Sequence, residues 1–444
     1  MLDQVSVSKR LISHLGKFRD DAWDDAVLKR TVVCVADNLG CYAAGLQLSH
    51  FNRSVAGAKA ALSTAVGGEP QLSPFVAAYI YGQAANALDY DDTLYGHPGS
   101  PIIAAVLAVA MNNELSLDRF LRGVAAGYDA HWFINAAAWP SAERGAQVRS
   151  VGNLDTVAAG IGAAIALGLD DGMIERIIEV AVAHTIIPYV GKWYDRPVPG
   201  MKNNMGWIAS SAILSVTSAQ AGQTGVTKSL DGEKGLWIMV GSDRWNPDSR
   251  LLEEKAAVLR TGFKFYPACW HLQEYLRMFA ALLGKLEPGE EVAEIAVSGP
   301  RDIEKFCERN IPDTADAAVS LPCLFWHLSK GVEPGPRWDV CEEADLGYEC
   351  RYQLGDARAI TVRTNKGKTL TAPVVENYTA DMTPHSLPDA HVIAKFHRLA
   401  KGVLSDDIRD LLINVHAYQA DQIPERFYYA MKQSMSQALA GCAY

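Results

Sequence analysis

The sequence predicts a mainly α-helical protein in which a large helical domain is accompanied by a smaller α+β domain. Apolar residues recur with helical spacing through most of the first 260 residues, and strand-like alternation begins after about residue 285. Helical spacing returns from about residue 403. We therefore expect a helical domain over residues 1–265, an α+β domain over residues 266–397, and C-terminal helices over residues 398–444 that return to the helical domain.

The helical part shows its periodicity clearly near residue 30. Leu28, Val32, Val35 and Leu39 are separated by four, three and four residues, which places them on one face of an amphipathic helix. Small residues dominate other segments and would let helix backbones approach closely in a bundle. These segments are 104–110, 158–166 and 209–222. The sequence has no repeat of fixed period, so we do not expect a solenoid.

The α+β part is indicated by alternation and by one turn. Residues 293–297 alternate apolar with polar or small side chains, as in a half-buried strand. Residues 360–362 and 369–371 flank the turn-forming residues 365–368, so we expect a β-hairpin. The helical segments after residue 403 are too short to bury a core alone. We therefore expect them to pack on the first domain.

Composition and charge exclude several classes of partner. Hydrophobic residues make up 49% and charged residues 21% of the 444 residues, a balance typical of globular proteins with a large apolar interior. The net charge of −10 argues against nucleic acids and anionic membranes as partners. The longest uncharged apolar stretches are well short of the roughly 20 residues that span a bilayer, so they are expected to be buried helices.

The N-terminal residues give an expectation about cellular location, and the spacing of the cysteines gives one about metal sites and disulfides. The first residues show the pattern of neither a secretory signal nor a transit peptide, so we expect a cytoplasmic protein. The eight cysteines form no C-x-x-C pair. This spacing argues against a structural zinc site and against a disulfide framework.

One short segment, residues 89–97, combines three carboxylates, a hydroxyl and an imidazole within nine positions, and we call it the acidic segment. Its flanks are small or apolar, so these polar groups are expected in the interior, where they need partners or a function. Asp89 and Thr93 are four residues apart and are expected on one helical face, with Asp91 and Asp92 pointing elsewhere. His97 precedes a proline, which disfavours helical backbone, so we expect it in a loop.

The next helix is expected to begin directly after this loop. Ser100 is the predicted N-cap and Pro101 the first helical residue of an apolar helix that includes residues 102–111. The free N–H groups at such a helix start would lie near His97 and could hold an anion. A neutral imidazole in this position can act as a base.

Two other interpretations of this segment stay open. In the first, Asp91 and Asp92 are solvated, Asp89 caps or pairs locally, and His97 is a buried structural residue. In the second, Asp89-x-Asp91-Asp92-Thr93 is the D-x-D-D acid motif of class II terpene cyclases, which are also helical. Those cyclases are expected to have aromatic-rich repeats and longer chains, and their chemistry gives the His-Pro-Gly segment no role.

Two lysines are candidate cationic groups. Lys202 opens a predicted helix over residues 203–220, where its charge is mildly unfavourable beside the positive end of the helix dipole. A function would explain this position, and contact with solvent is the alternative. Lys264 lies in the largely uncharged stretch 261–269, so we expect it to be buried beside an anion.

Several segments, spread over nearly the whole chain, carry a family resemblance. They are Val35–Cys41, Ala87–Thr93 with His97-Pro98, Gly127–Asp129, Leu167–Asp170, Lys202 with Gly206 and Ala209, Lys264 with Tyr266-Pro267, and Asp389–Phe396. Together they resemble the MmgE/PrpD family, which includes 2-methylcitrate dehydratase, cis-aconitate decarboxylase and iminodisuccinate epimerase. The resemblance implies an all-helical domain with a smaller α+β lid, usually in a homodimer, and a site between the two. It also implies action on small polycarboxylates without a metal or an organic cofactor.

The resemblance also assigns residues to the site. Those that correspond to the family's catalytic residues are Asp89, Thr93, His97, Lys202 and Lys264.

Two departures from the family pattern concern the substrate. Where the family often has a histidine, an ungapped count places Arg149, and where it often has a tyrosine after Ser-Leu-Pro, this chain has Cys323. Arginine stays protonated and cysteine forms weak hydrogen bonds, so these replacements change the capacity for proton transfer. We expect Arg149, Tyr266 and Cys323 to bind substrate.

The predicted function is removal of a proton next to a carboxylate. His97 would move the proton, Asp89 and Thr93 would orient it or the substrate, and the lysines, with Arg149, would bind carboxylates and stabilise an enolate-like dianion. Loss of water is the first choice because it is the family's commonest assignment. Epimerisation of a dicarboxylate is second and decarboxylation third. The alternative from another class is a non-catalytic relative that keeps the fold.

Overall fold

The computed structural model describes residues 5–20, 22–66, 72–145, 147–148, 154–185, 204–309, 314–340, 347–374, 381–413 and 421–441. The α-helices are α1 (Val7–Leu15), α2 (Lys17–Asp20), α3 (Asp25–Gly45), α4 (Ser49–Val66), α5 (Pro74–Ala87), α6 (Gly99–Asn112), α7 (Leu117–Ala137), α8 (Ala142–Gly145), α9 (Asp155–Leu167), α10 (Asp171–His184), α11 (Met205–Gln220), α12 (Leu236–Met239), α13 (Arg250–Glu253), α14 (Gln273–Leu283), α15 (Leu321–Ser329), α16 (Asp389–Ala400), α17 (Asp406–Ile413) and α18 (Glu425–Gly441). The strands are β1 (Val292–Gly299), β2 (Glu349–Leu354), β3 (Ala359–Thr364) and β4 (Thr369–Pro373).

The described residues are mainly helical with one four-stranded sheet, which confirms the mainly α fold class. The periodic residues 28–39 lie in α3, and the small-residue segments begin in α6, α9 and α11. The domain boundaries at residues 265 and 397 stay predictions. Among the described residues, no helix combines the length and the apolar character needed to cross a bilayer.

The large core is built around α5, α6, α7, α9 and α11, which pack against one another. Their close approach depends on small residues. A Cβ on Gly206 of α11 would lie 2.3 Å from the Tyr79 carbonyl oxygen of α5, and one on Gly45 of α3 would lie 1.9 Å from the Ala84 carbonyl oxygen. Glycine permits both of these contacts, although neither glycine lies in the predicted small-residue segments 104–110, 158–166 and 209–222. The two contacts hold α5, the helix that leads into the acidic segment, between α3 and α11.

Helix boundaries near the core follow local capping signals. The Ser73 hydroxyl accepts a hydrogen bond from the Val76 N–H, and Pro74 occupies the first turn of α5. Gly168 has φ of 70° after the last residue of α9, the left-handed conformation that glycine adopts without steric cost. The Asp170 side chain then accepts from the Met173 N–H and starts α10.

The sheet has the strand order β2-β1-β3-β4. Strand β1 runs parallel to β2 and antiparallel to β3, and β3 is antiparallel to β4. The predicted hairpin is therefore confirmed as β3 and β4, with Val362 paired to Leu370. Ile295, Val297 and Ile360 are fully buried and share a second apolar core with residues of α14 and α15.

The C-terminal helices pack on the large helical core. Helix α16 lies along α3, and α18 contacts α4, α5 and α6. Two tyrosine hydroxyls tie these elements together: Tyr428 donates to the Leu115 carbonyl oxygen at 2.9 Å, and Tyr42 lies 3.0 Å from the Ser434 hydroxyl. Helix α16 thereby brings polar side chains beneath the acidic segment.

Candidate active site

The acidic segment forms a loop between α5 and α6. Helix α5 ends at Ala87, and Asp89 then has φ of 53°, a left-handed conformation that aspartate tolerates better than most residues. Tyr95 has φ of 49° in the same loop. The prediction that Asp89 and Thr93 share a helical face is therefore wrong, because the chain leaves the helix before it reaches them. The prediction that His97 lies in a loop is confirmed.

The loop is held from outside by a two-hydrogen-bond bridge. The backbone N–H of Thr93 donates to the Gly262 carbonyl oxygen, and the N–H of Gly262 donates to the Thr93 carbonyl oxygen, both at 2.9 Å. A Cβ at position 262 would lie 2.9 Å from Met382 Cβ and 3.0 Å from the Trp270 ring, so glycine permits the approach. This bridge brings Lys264, two residues further on, to the loop.

Lys264 is completely buried beside Asp89. Its Nζ donates to Asp89 Oδ1 at 2.6 Å and to the Asp89 carbonyl oxygen at 2.8 Å. Burial lowers the pKa of Lys264. The expectation that Lys264 is buried beside an anion is confirmed, since a buried ammonium group needs such a partner to offset its desolvation.

His97 is paired with Asp91. The Nδ1 atom of His97 lies 3.1 Å from Asp91 Oδ1, and its Nε2 atom lies 3.8 Å from Asp89 Oδ1. Because an ionised carboxylate can only accept, Nδ1 carries a proton, and in the neutral tautomer that donates from Nδ1 the lone pair is on Nε2. Asp91 was expected to point elsewhere, and this expectation is wrong because the loop backbone turns its side chain toward His97.

Asp91 is fully buried and every one of its oxygens accepts a hydrogen bond. Asn86 donates to Oδ1 and Oδ2 at 3.1 and 2.9 Å, and the Ser100 hydroxyl donates to Oδ2 at 2.6 Å. Burial raises the pKa of Asp91, but its interaction with His97, the nearby Lys264 ammonium group and the Ser100 hydrogen bond lower it further, so the net pKa lies well below its usual range. Asp91 is therefore an ionised, fixed partner for the imidazole.

The start of α6 differs from the prediction. Helix α6 begins at Gly99, and Pro98 at the N-cap position has no side chain that can accept a hydrogen bond. Ser100 is the second residue of the helix and not its N-cap, and its hydroxyl donates to Asp91.

Asp92 contacts different groups from those that contact Asp91. The Tyr128 hydroxyl donates to its Oδ2, and the Gly99 N–H donates to its Oδ1 at 3.1 Å. Burial raises the pKa of Asp92 to about 7, and the nearby Asp91 and Asp37 carboxylates act in the same direction. The three neighbouring acids of this loop thus have different surroundings, and the interpretation of Asp91 and Asp92 as solvated is wrong.

The family can now be assigned. A model of the MmgE/PrpD N-terminal domain matches residues 9–247, which is more than half of the chain. The chain belongs to the MmgE/PrpD family. No curated protein matches the chain. The region that matches contains the whole loop with Asp89, Asp91, Thr93 and His97. MmgE/PrpD members are generally lyases or isomerases, so membership supports an enzyme of this general kind.

Three side chains of this MmgE/PrpD site have a spacing compatible with a metal ion. Asp89, Asp91 and His97 each offer one ligand atom, all within 4.8 Å of one another. However, the Lys264 ammonium group is 2.6 Å from Asp89 Oδ1, where a cation would have to bind, and both Asp91 oxygens accept from Asn86. The donor set is therefore already occupied by protein groups, and we derive no step through a metal.

The remaining predicted site residues lie in different surroundings or outside the described residues. Tyr266 is half-buried two residues after Lys264, and its ring stacks on Trp338 with centroids 5.6 Å apart. Cys323 is completely buried in the first turn of α15. Lys202 and Arg149 lie outside the described residues. The structure thus brings Asp89, His97 and Lys264 together and holds Thr93 in the same loop, and the catalytic and substrate-binding assignments stay predictions.

A second buried ion pair supports the loop and was missed from the sequence. Lys395 of α16 donates to Asp37 Oδ1 of α3 at 2.8 Å and to the Tyr90 carbonyl oxygen at 2.6 Å. Its Nζ lies 3.6 Å from the centroid of the Tyr90 ring. Burial lowers the pKa of Lys395, but Asp37 raises it further and the net shift is upward. The local signal was the charged Asp37 in the largely apolar middle of α3.

Proposed function

We propose that this MmgE/PrpD protein removes a proton α to a carboxylate of a small di- or tricarboxylic acid, and that it is a hydro-lyase of the 2-methylcitrate dehydratase type. The proposal needs no cofactor. The observation that carries it is the His97 ring, whose Nδ1 atom is held by Asp91 at 3.1 Å while Nε2 faces the Asp89–Lys264 pair. This is the geometry of an oriented general base.

His97 is the group that takes the proton. Its side chain retains some exposure, with the whole residue 8% exposed, whereas Asp91 is completely buried. The Nε2 lone pair accepts the α-proton, and the resulting imidazolium is stabilised by the Asp91 carboxylate beside Nδ1. The substrate's electron pair moves onto its carboxylate and forms an enolate-like species.

Thr93 is placed to orient the substrate. Its backbone is fixed by the two hydrogen bonds to Gly262, and the residue is 5% exposed. In this proposal its hydroxyl contacts a substrate oxygen.

The charge of the site sets a requirement for further cations. The ammonium groups of Lys264 and Lys395 are each paired with a carboxylate, Asp89 and Asp37 respectively. These pairs are electrically neutral, so within the described part of the site they offer no excess positive charge to a polycarboxylate. We therefore propose that Lys202 and Arg149 bind the carboxylates of the substrate. Any N–H group of Lys264 that does not donate to Asp89 would donate to the same carboxylates.

The enolate-like species has two outcomes. Expulsion of a β-hydroxyl group, which takes the proton held by the His97 imidazolium as it leaves, gives water and a double bond, whereas return of a proton to the opposite face gives the epimer, the second candidate. In the third candidate, decarboxylation, the enolate-like species forms by loss of carbon dioxide in place of the proton, and protonation of its carbon then gives the product. The first is preferred because it is the family's commonest activity.

Proton NMR in deuterated water with candidate acids tests this order. Vinyl signals with loss of water are expected for a hydro-lyase. Deuterium at the α-carbon without loss of water or carbon dioxide would overturn the dehydratase assignment in favour of an epimerase. Release of carbon dioxide would favour the decarboxylase.

The family resemblance also supports proposals about assembly. We propose that the α+β domain acts as a lid over the loop, since Asp339 lies 3.5 Å from His50 Nδ1, and His50 Nε2 lies 3.0 Å from the Ala87 carbonyl oxygen at the end of α5. We also propose a cytoplasmic homodimer. Light scattering during gel filtration should then give twice the 48.2 kDa mass of the chain.

A further inference from the structure

His131 is a completely buried histidine that lies against the loop between α5 and α6. It belongs to α7, and its Nδ1 atom is 2.6 Å from Oδ1 of Asp155, the first residue of α9. Its Nε2 atom is hydrogen-bonded to the carbonyl oxygen of Leu94. The ring therefore connects two helices of the core to the residue that directly follows Thr93.

Both ring nitrogens of His131 face atoms that can only accept. When Asp155 is ionised, neither its carboxylate nor the Leu94 carbonyl has a proton to give, so each ring nitrogen donates one and the ring is an imidazolium. A neutral ring would leave a lone pair against one of these oxygens. The Asn135 amide nitrogen lies 3.1 Å from Nδ1, but it donates to Asp155 Oδ1 and to the His131 carbonyl oxygen.

The charged groups around the ring agree with this protonation state. Burial alone lowers the pKa of His131, but the charge of Asp155, its hydrogen bond and the Leu94 carbonyl raise it further, so the net shift is upward. The nearby Asp92 carboxyl acts in the same direction.

The backbone of the loop around Leu94 needs contacts that fix its conformation. Tyr95 has φ of 49° and Gly96 has φ of 150°, so the backbone between Thr93 and His97 passes through sparsely populated conformations. Such conformations persist when surrounding contacts determine them. The N–H of Leu94 is bonded to the Gly96 carbonyl oxygen within the loop, whereas its carbonyl oxygen bonds outward to His131.

We propose that His131 is a positioning residue, a buried imidazolium that holds the Leu94 carbonyl and so sets the placement of Thr93 and His97. The role in turnover rests on the proposed function, and the charge state does not. Its partner Asp155 keeps the ring doubly protonated. His131 has no contact with the predicted reacting atoms and acts through the loop.

Two amide variants separate the two hydrogen bonds. In His131→Gln the amide nitrogen can reach the position of Nε2 and keep the bond to Leu94, whereas in His131→Asn it reaches the position of Nδ1 and keeps only the bond to Asp155. Both variants remove the charge. Because small misplacements of reacting groups cost about 100-fold in rate, we expect kcat of His131→Asn to fall by about that factor with little change in KM. His131→Gln should keep about ten times the kcat of His131→Asn. Equal kcat values, or a more active His131→Asn, would overturn the positioning role.

The charge state is measured on the wild-type protein without substrate. With ¹⁵N-labelled histidine, one ring should show two protonated nitrogens at pH values where ordinary imidazoles are neutral, and that signal should be lost in His131→Gln. A His131 ring with one unprotonated nitrogen overturns the proposal. Because this spectrum needs no substrate, a failure of the proposed function leaves it interpretable.

Discussion

Replacing Asp91 with asparagine is the perturbation that bears most directly on the proposed base. The carboxylate accepts from His97, from Ser100 and twice from Asn86. An amide of the same shape has one oxygen, so it cannot satisfy both sides. If its oxygen faces His97, its NH₂ group opposes the Asn86 amide. If its NH₂ group faces His97, it donates to Nδ1 and forces the ring proton onto Nε2, which removes the base.

The expected loss of kcat follows from these two arrangements of the amide introduced at position 91. A histidine base held in the wrong tautomer loses about 10⁴-fold in kcat, and general base catalysis as a whole contributes about 10²–10⁴-fold. We therefore expect kcat of Asp91→Asn to fall by about 10³–10⁴-fold, which corresponds to about 4–5.5 kcal/mol of transition-state stabilisation. KM should change much less, because Asp91 is completely buried and has no surface for a substrate.

Asp92→Asn is the matched control. It makes the same carboxyl-to-amide replacement at the neighbouring position, in a side chain that is equally buried but contacts Tyr128 and Gly99. Steady-state kinetics of both variants, with thermal unfolding to confirm that each is folded, form the assay. The reasoning is refuted if Asp91→Asn stays within about tenfold of the wild-type kcat, or if Asp92→Asn loses as much.

Three further predictions concern stability and metals. Asp92 has a pKa of about 7 in the folded protein, so between about pH 4 and that value the folded state holds a proton that the unfolded state has lost, and stability falls as pH rises. The Tm advantage of Asp92→Asn over wild type should grow through this window and then level off, and a pH-independent difference would contradict it. Lys264→Met leaves Asp89 buried and unpaired and should cost about 3–5 kcal/mol in urea unfolding, whereas the double variant with Asp89→Asn should regain stability but not activity. A Lys264→Met variant as stable as wild type would rule out this pairing. Chelators should not change activity, because protein groups occupy Asp89 and Asp91, and a loss restored by a divalent ion would show otherwise.

Local sequence patterns predicted the elements of the fold well. The stripe from Leu28 to Leu39 identified α3, alternation identified β1, and the residues 365–368 identified the turn between β3 and β4. In each case the signal lies within one helix, one strand or one turn, so spacing along the chain reports which residues are buried. The uncharged surroundings of Lys264 likewise predicted its burial.

The arrangement of the site could not be predicted in the same way. Helical spacing placed Asp89 and Thr93 together, but Thr93 forms its backbone hydrogen bonds with Gly262, far along the chain, instead of with a preceding turn. Asp91 was expected to point elsewhere because its pairing with His97 depends on the path of a non-helical loop. The contact of Lys395 with Asp37 joins opposite ends of the sequence. Such pairings are set by tertiary packing, and spacing along the chain carries no record of them.

The most direct test of the central claim is the rate at which wild-type protein and His97→Gln remove the α-proton of a candidate polycarboxylate in deuterated water. The rate is followed by NMR as deuterium uptake or as product formation. If the imidazole held by Asp91 is the base, the wild-type protein removes the proton and His97→Gln is slower by about 100-fold or more while remaining folded. A folded His97→Gln that removes the proton as fast as the wild type would contradict the account.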